Sequence, residues 1–343
     1  MIKFAVRIYG ENRKLLVGAN YISALSKYLN YEAEFYVYAT KDNELNKMVL
    51  NGIKGIKHIG KENTWSEVRY EDYDIVLAVD VFPMLEYYNT KTCKNWNIEQ
   101  LIDAWTMFRK DDKNTLFFQS RKRYRPYAYS RIAIQGKSIL NALDIGSVLK
   151  MKRIYDLPFG VNKNVESVLE KYKLKNQKYI TFQCKKQSTL SLDIKLLDKI
   201  TTWIKTTYPE IKIVQLGEKG YQHNIGMFAD EIVVDNASWA EIRVVLENAV
   251  IHIDGDSFLT QLRTAIGVFP SIVIFGATPM EILADERNNN INSNMCKHWC
   301  MSLREDWEYY CIKSGNEPVC LCSDQYENIK NNVKKILDER IML

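Results

Sequence analysis

Apolar positions along this chain fall into two recurring patterns, short runs with strand character and longer stretches with helical spacing. The first third reads "IKFAVRIY" (2–9), "AEFYVYA" (33–39) and "DIVLAVDVF" (74–82) as strands, the last nearly continuous in apolar residues, as in a strand buried on both faces. Between the first two, "GENRKLL" is expected as a loop and "VGANYISALSKYL" (17–29) as a helix. Strands separated by helices predict a parallel sheet with right-handed crossovers. The pattern breaks in the basic and aromatic segment 109–131, and "DLPFGVN" (156–162) supplies the Pro and Gly of a linker.

Alternation then resumes. "KYITFQC" (178–184), "IKIVQLG" (211–217), "EIVVD" (231–235), Val250 to Ile253 and Ser271 to Phe275 have strand character. "SLDIKLLDKITTWIKTTYP" (191–209) reads as an amphipathic helix capped by Ser191. "SWAEIRVVLENA" (238–249) opens with Ser238 and Glu241 at capping-box spacing. "NNNINSN" (288–294) is expected as an exposed loop, and the last residues as a helix. The chain therefore predicts two α/β domains, residues 1–158 and 159–343, with a cysteine-rich segment at 296–322 in the second.

A length of 343 residues suits two domains, and 46% hydrophobic with 26% charged residues is ordinary for a globular chain. A net charge of +5 suits acidic small molecules or a membrane surface and is too small to demand nucleic acid. No run approaches the roughly 18 apolar residues of a spanning helix, and the N-terminus lacks a signal-peptide pattern. A cytoplasmic protein is expected, with peripheral association at the inner membrane face as an option.

Ligands of open parallel sheets bind beyond the carboxyl ends of the strands. Three strands of the second half end there in polar residues: Lys185 and Lys186 after the first, Glu218 after the next, and Asp254-Gly255-Asp256-Ser257 after the third. A helix starting near Ser257 directs unpaired N–H groups and its positive end toward that edge, and a lysine adds a full charge. The set suits a diphosphate. Asp256 is expected to cap the helix or fix the turn, since like charges repel, which leaves Ser257 and the amides to meet the ligand.

"WAEIRVVLENAVIHIDGDSFLTQLRTAIGVFPSIVIFGATP" resembles the C-terminal signature of family 9 glycosyltransferases, the ADP-heptose:lipopolysaccharide heptosyltransferase group. Asp256 and Ser257 match the family's Asp-Ser/Thr pair, and Gly276 with Thr278 matches its Gly-x-Thr. Phe258 stands where the family has Gly, and Gln261 where it has His. The resemblance implies the α/β GT-B fold, two facing Rossmann-like domains with parallel sheets, the acceptor in the first and the nucleotide-sugar in the second. It implies an inverting transfer without a catalytic cofactor, from a nucleotide-diphospho-sugar such as ADP-heptose to a glycan or protein acceptor. Lys185, Lys186, Glu218, Asp256, Ser257, Gln261, Gly276 and Thr278 are the donor-site candidates. The family's N-terminal Gly-x-x-Gly-Asp is replaced by "YGENRKLLVGAN", whose one carboxylate, Glu11, becomes the candidate base; Asp80, at the end of "DIVLAVD", is the reserve, and a catalytically silent nucleotide- or glycan-binding GT-B protein is the alternative if neither serves.

Two features stand apart. Cys296, Cys300, Cys311, Cys320 and Cys322 are spaced C-x3-C-x10-C-x8-C-x-C, enough thiolates for a structural zinc or iron, with His298 as a substitute ligand and a cluster of free thiols as the alternative. Cysteine-rich tails of this kind occur in relatives of the family that modify autotransporter proteins with heptose and bind iron. Arg121, Arg123 and Arg125, interleaved with Tyr124, Tyr127 and Tyr129, suit an anionic glycan acceptor, a nucleic-acid backbone, or simply a solvated face.

Overall fold

The computed structural model describes residues 1–10, 12–80, 83–110, 149, 157–184, 192–217, 232–234, 236–293, 300, 310–315, 320 and 325–341. The chain divides into two compact units, Met1–Gly160 and Val161–Leu343. Among the described residues, no helix is long and apolar enough to cross a membrane.

The first unit is built on β1 (Ile2–Ile8), β2 (Ala33–Ala39), β3 (Ile56–Lys61), β4 (Ile75–Val79) and β5 (Pro83–Tyr88), in the order β3-β2-β1-β4-β5. All pairs are parallel except β4–β5. The expected strand 74–82 therefore ends at Val79, and the chain turns back into the antiparallel β5. Helix α1 spans Asn12–Tyr28 and starts five residues earlier than expected, because Leu15 and Leu16 extend the apolar face of the helix back through "NRKLL". Helices α2 (Asn43–Leu50) and α3 (Trp96–Lys110) and 3-10 turns at Glu62–Glu67 and Tyr70–Asp72 complete its described elements.

Period-two alternation gives this sheet two different faces. Phe4, Val6, Ile8, Phe35, Val37, Ile75, Leu77 and Val79 are buried on one, where Gly18 of α1 seats against Ile8. The other carries Ala5, Arg7, Tyr38 and Val76 beneath Trp65, Tyr70 and Tyr87.

The second unit carries β6 (Tyr179–Cys184), β7 (Lys212–Gly217), β8 (Ile232–Val234), β9 (Ile251–Gly255), β10 (Ser271–Phe275) and β11 (Asn289–Asn292). Their order is β11-β10-β9-β6-β7-β8, all parallel. The expected loop at 288–294 thus contains an edge strand, polar because only Ile291 meets the core. The helices are α4 (Val165–Lys171), α5 (Ile194–Thr207), α6 (Trp239–Asn248), α7 (Phe258–Ile266), the short α8 (Met280–Leu283) and α9 (Tyr326–Ile341). Asp193, not Ser191, caps α5, accepting from the Lys195 N–H. Ser238 and Glu241 form the capping box expected for α6.

One face of this sheet is apolar. Ile180, Phe182, Ile213, Ile251, Ile253, Ile272 and Ile274 pack with Leu196, Ile200 and Ile204 of α5 and Ile329, Val333 and Leu337 of α9. The opposite face, under α6 and α7, is polar: Tyr179 donates to the Val245 carbonyl, and Thr181, His252 and Ser271 lie side by side on three strands. The buried Arg263 of α7 donates to the Ala249 carbonyl at 2.7 Å. Burial, then the nearby charge of Arg340, pushes its pKa down to about 9.

Candidate active site

Of the donor-site candidates, Asp256, Ser257, Gln261, Gly276 and Thr278 are among the described residues, and they lie at the carboxyl edge of the second sheet. β9 runs two residues past the apolar run, through Asp254 and Gly255, and Asp254 Oδ1 accepts the Gly255 N–H at 2.7 Å. The turn that follows is fixed by side chains. Ser257 caps α7, accepting the Thr260 N–H, and the Gln261 N–H goes to the Ser257 carbonyl. Thr260 Oγ1 donates to the Gly255 carbonyl at 3.1 Å. The cap is Ser257 rather than Asp256; Asp256 instead accepts from Gln261 Nε2 at 3.1 Å, with both residues buried. Asp256 and Gln261 therefore brace the turn from inside. The Phe258 and Leu259 N–H groups, first in the helix, have no intrahelical acceptor.

β10 brings Gly276 and Thr278 to the same edge. Thr278 is 1% exposed, and its hydroxyl has no hydrogen-bond partner among the described residues. Gly276 lies against Cys320: a Cβ at 276 would sit 2.5 Å from Cys320 Cβ and 2.6 Å from its Sγ. The glycine is thus required by contact with the cysteine-rich segment. Lys185, Lys186 and Glu218 lie outside the described residues, but the strands before them, β6 and β7, end in register at Cys184 and Gly217.

Beneath the turn, His252 is fully buried between Thr181 Oγ1, 3.0 Å from Nδ1, and Asp254 Oδ2, 3.7 Å from Nε2. Burial lowers its pKa against the opposing pull of Asp254. In the sequence His252 stands inside an apolar run, and the alternation that sets it on the face opposite Ile251 and Ile253 is its signal.

In the first unit, β1 and β4 end side by side, with Ile8 opposite Val79. Gly10, at φ +98°, begins the loop toward Glu11, which lies outside the described residues. Asp80 follows β4 and forms a largely buried ion pair with Lys14 of α1. Lys14 lies in the stretch expected as a loop, and the earlier start of α1 is what brings it to Asp80. Arg121, Arg123 and Arg125 lie outside the described residues.

Of the tail cysteines, Cys300, Cys311 and Cys320 are buried, whereas Cys296, Cys322 and His298 lie outside the described residues. Among the described residues, no three His, Cys, Asp or Glu side chains gather as metal ligands. The described cysteines alone do not make a metal site.

No protein-family model and no curated protein sequence matches this chain. Solved structures do. A family 9 glycosyl transferase from Veillonella parvula matches with a TM-score of 0.63 at 10% identity, over 98% of both chains. The fold is GT-B. An ADP-heptose LPS heptosyltransferase II from E. coli matches with a TM-score of 0.54 at 12% identity, over 97% of this chain and all of that one. TibC, an iron-containing dodecameric glycosyltransferase from enterotoxigenic E. coli, gives 0.57 at 12% identity, over 98% of this chain and 77% of its own. In a GT-B frame, the Asp256–Ser257 turn and the Gly276–Thr278 segment belong to the C-terminal Rossmann-like sheet, and Asp80 to the N-terminal one.

Proposed function

We propose that this GT-B protein is an inverting glycosyltransferase whose donor is a nucleotide-diphospho-sugar. The observation that carries the reading is the braced turn at the carboxyl edge of β9, where Ser257 caps α7 and the first helix amides remain for an anion. Lys185 or Lys186, Ser257 and Thr278 would hold the diphosphate, with Asp256 and Gln261 keeping the turn in shape, Gly276 admitting Cys320, and Glu218 on the sugar or ribose hydroxyls. ADP-heptose is the proposed donor, supported by the heptosyltransferase among the similar structures. The acceptor would be a glycan or a protein, held through Arg121, Arg123 and Arg125. Such a donor would place the reaction in the cytoplasm, against the inner membrane face if the acceptor is lipid-linked.

In the transfer, the acceptor hydroxyl oxygen bonds to the anomeric carbon while the bond from that carbon to the β-phosphate oxygen breaks. The hydroxyl proton passes to a carboxylate, and the nucleoside diphosphate leaves with the bonding pair, its charge met by the helix amides and a lysine. Glu11 is the proposed base. Asp80 is the reserve, and the Lys14 ion pair already engages its carboxylate. Zinc or iron at the cysteine tail is a separate, structural proposal, in which Cys300, Cys311 and Cys320 would be joined by a ligand from Cys296, Cys322 or His298. It is supported by the crowding of five cysteines and by the iron-containing TibC. Metal analysis of anaerobically purified protein tests it.

The deciding experiment is a thermal-shift panel of ADP, ADP-heptose and UDP- and GDP-sugars. A donor at a hundredfold excess over its Kd adds about 2.7 kcal/mol to the folded state, so the expected result is a rise in Tm of several degrees with at least one of them. A flat response to every nucleotide and nucleotide-sugar would sink the transferase reading.

A further inference from the structure

In the first unit, the amino ends of β1 and β2 and the start of α3 border a cavity of about 500 Å³. It lies at the sheet edge opposite Gly10 and Asp80. β1 runs from Ile2, which lines the cavity, to Ile8, about 20 Å away at roughly 3.3 Å per residue. The floor is apolar and comes from Leu29, Ala33 and Ile98, all buried. The rim is polar, with Asn30, Glu32, Asn95 and Asn97 beside Tyr31. Among the described residues, no Lys or Arg lines it.

Tyr31 is the residue that folding does not explain. α1 ends in a Schellman motif, in which the Asn30 N–H returns to the Lys27 carbonyl and the Tyr31 N–H to the Ser26 carbonyl. The motif calls for left-handed backbone at Asn30 (φ +51°), where asparagine is at home. It makes no such demand at Tyr31, whose φ of +63° is strained for a bulky side chain and free for glycine. The ring is not hidden in the core either: Tyr31 is 43% exposed, with the Lys54 ammonium 4.3 Å from the ring centroid. Around it, the Asn30 and Asn97 side-chain amides make no hydrogen bond among the described residues. Asn95 uses its Oδ1 to accept the Asn97 N–H at 2.9 Å, which leaves its NH₂. Amides donate and accept, as hydroxyls do, and a carboxylate accepts from two hydroxyls while repelling anions. The negative face of an aromatic ring takes the C–H face of a pyranose.

We propose that this cavity is a non-reacting site for an uncharged saccharide. Tyr31 meets the sugar ring, and Asn30, Asn95, Asn97 and Glu32 bind its hydroxyls. Without a cation in the lining and with Glu32 at the rim, the site rejects phosphates and acidic sugars. It does not depend on the donor reading above. A saccharide bound here sits at the opposite end of β1 from the candidate base, so the site holds a glycan without acting on it.

Ligand-observed NMR titration of the full chain with methyl α-D-mannoside, methyl β-D-glucoside and N-acetyl-D-glucosamine tests the proposal. At least one is expected to bind with a Kd on the order of 1 mM, as suits ligands of this size. D-glucuronate, of similar size but anionic, is expected to bind about fivefold more weakly or not at all. Tyr31→Gly and Asn30→Gly both place glycine on left-handed backbone, so the fold is kept and the Tm of Tyr31→Gly should hold or rise. Each is nevertheless expected to weaken the best sugar about fivefold. Should Tyr31→Gly lower the Tm, Asn30→Gly alone decides. Binding of none of the three sugars, or binding that neither variant weakens, overturns the site. Adenosine bound more tightly than every sugar overturns the ligand class. The donor reading stands or falls separately, on the response to ADP and the nucleotide-sugars.

Discussion

Gly276 is small because of what lies against it. Its place in a Gly-x-Thr pattern suggests a backbone kept bare for phosphate, yet the atoms nearest a side chain there belong to Cys320. Gly276→Ala is therefore expected to cost about 1–3 kcal/mol through overpacking, measured as a lower urea midpoint. Cys320→Ala removes the sulfur and leaves the Cβ, so the double variant should recover part of that loss, giving a non-zero coupling in a double-mutant cycle. Strict additivity would show that the glycine answers to something else. Lys14 and Asp80 make a second residue-scale case. Their side chains are 15% and 10% exposed, so removing one charge strands the other out of water. Lys14→Met is expected to destabilise by about 3 kcal/mol, and Asp80→Asn in the same chain should restore most of it. Asp80→Asn alone also separates the two candidate bases: transfer should persist if Glu11 takes the proton and vanish if Asp80 does.

At the scale of elements, what could be read from the sequence was what neighbouring residues decide among themselves. The capping box of Ser238 and Glu241 is such a case: Glu241 accepts the Ser238 N–H at 2.9 Å, and the Lys171 ammonium, which binds its other oxygen, holds its carboxyl below the usual range. The strands with continuous apolar runs were legible for the same reason, since burial on both faces leaves little choice of residue. Elements fixed by distant partners were not. β11 is Asn-rich and owes its place to pairing with β10; β3 alternates only weakly; β5 continues an apolar run that the turn after Asp80 divides. The turn between β9 and α7 was partly legible: Asp256, Ser257, Gly276 and Thr278 reach one edge, but the roles of Asp256 and Ser257 depend on Gln261 and Thr260, one helical turn away. A paired test follows from the two serine caps. Ser238→Ala and Ser257→Ala should each lower stability by about 1 kcal/mol. The Ser257 change should additionally weaken pyrophosphate binding several-fold, whereas Ser238→Ala should leave it nearly unchanged. Equal effects on binding would remove the special role of the β9–α7 turn.

For the whole molecule, a GT-B fold at 10–12% identity to the similar structures means that the layered pattern is kept while most side chains have changed. Each unit has one apolar sheet face and one richer in polar groups or in Tyr and Trp, and among the described residues only the second unit buries a histidine in the latter. That histidine gives the protein a readable pH dependence. His252 is held neutral by burial, so its folded pKa lies below the value of about 6.5 expected in the unfolded chain. Between those two values the unfolded state binds more protons than the folded one. Stability is therefore full above pH ~6.5 and falls as the pH drops below it, with a slope approaching about 1.4 kcal/mol per pH unit, until the folded pKa is reached. His252→Gln keeps a polar partner for Thr181 and removes the titration. Native-state hydrogen exchange followed at Ile251–Gly255 restricts the readout to the second unit, where the opening free energy should fall by about 1 kcal/mol from pH 7.5 to pH 5.5 in the wild type. The variant should show only the smaller drop that the other titrating groups contribute. An identical drop in both proteins would mean that His252 keeps the same proton affinity when the unit opens, and that the buried Thr181–His252–Asp254 arrangement is no source of acid sensitivity.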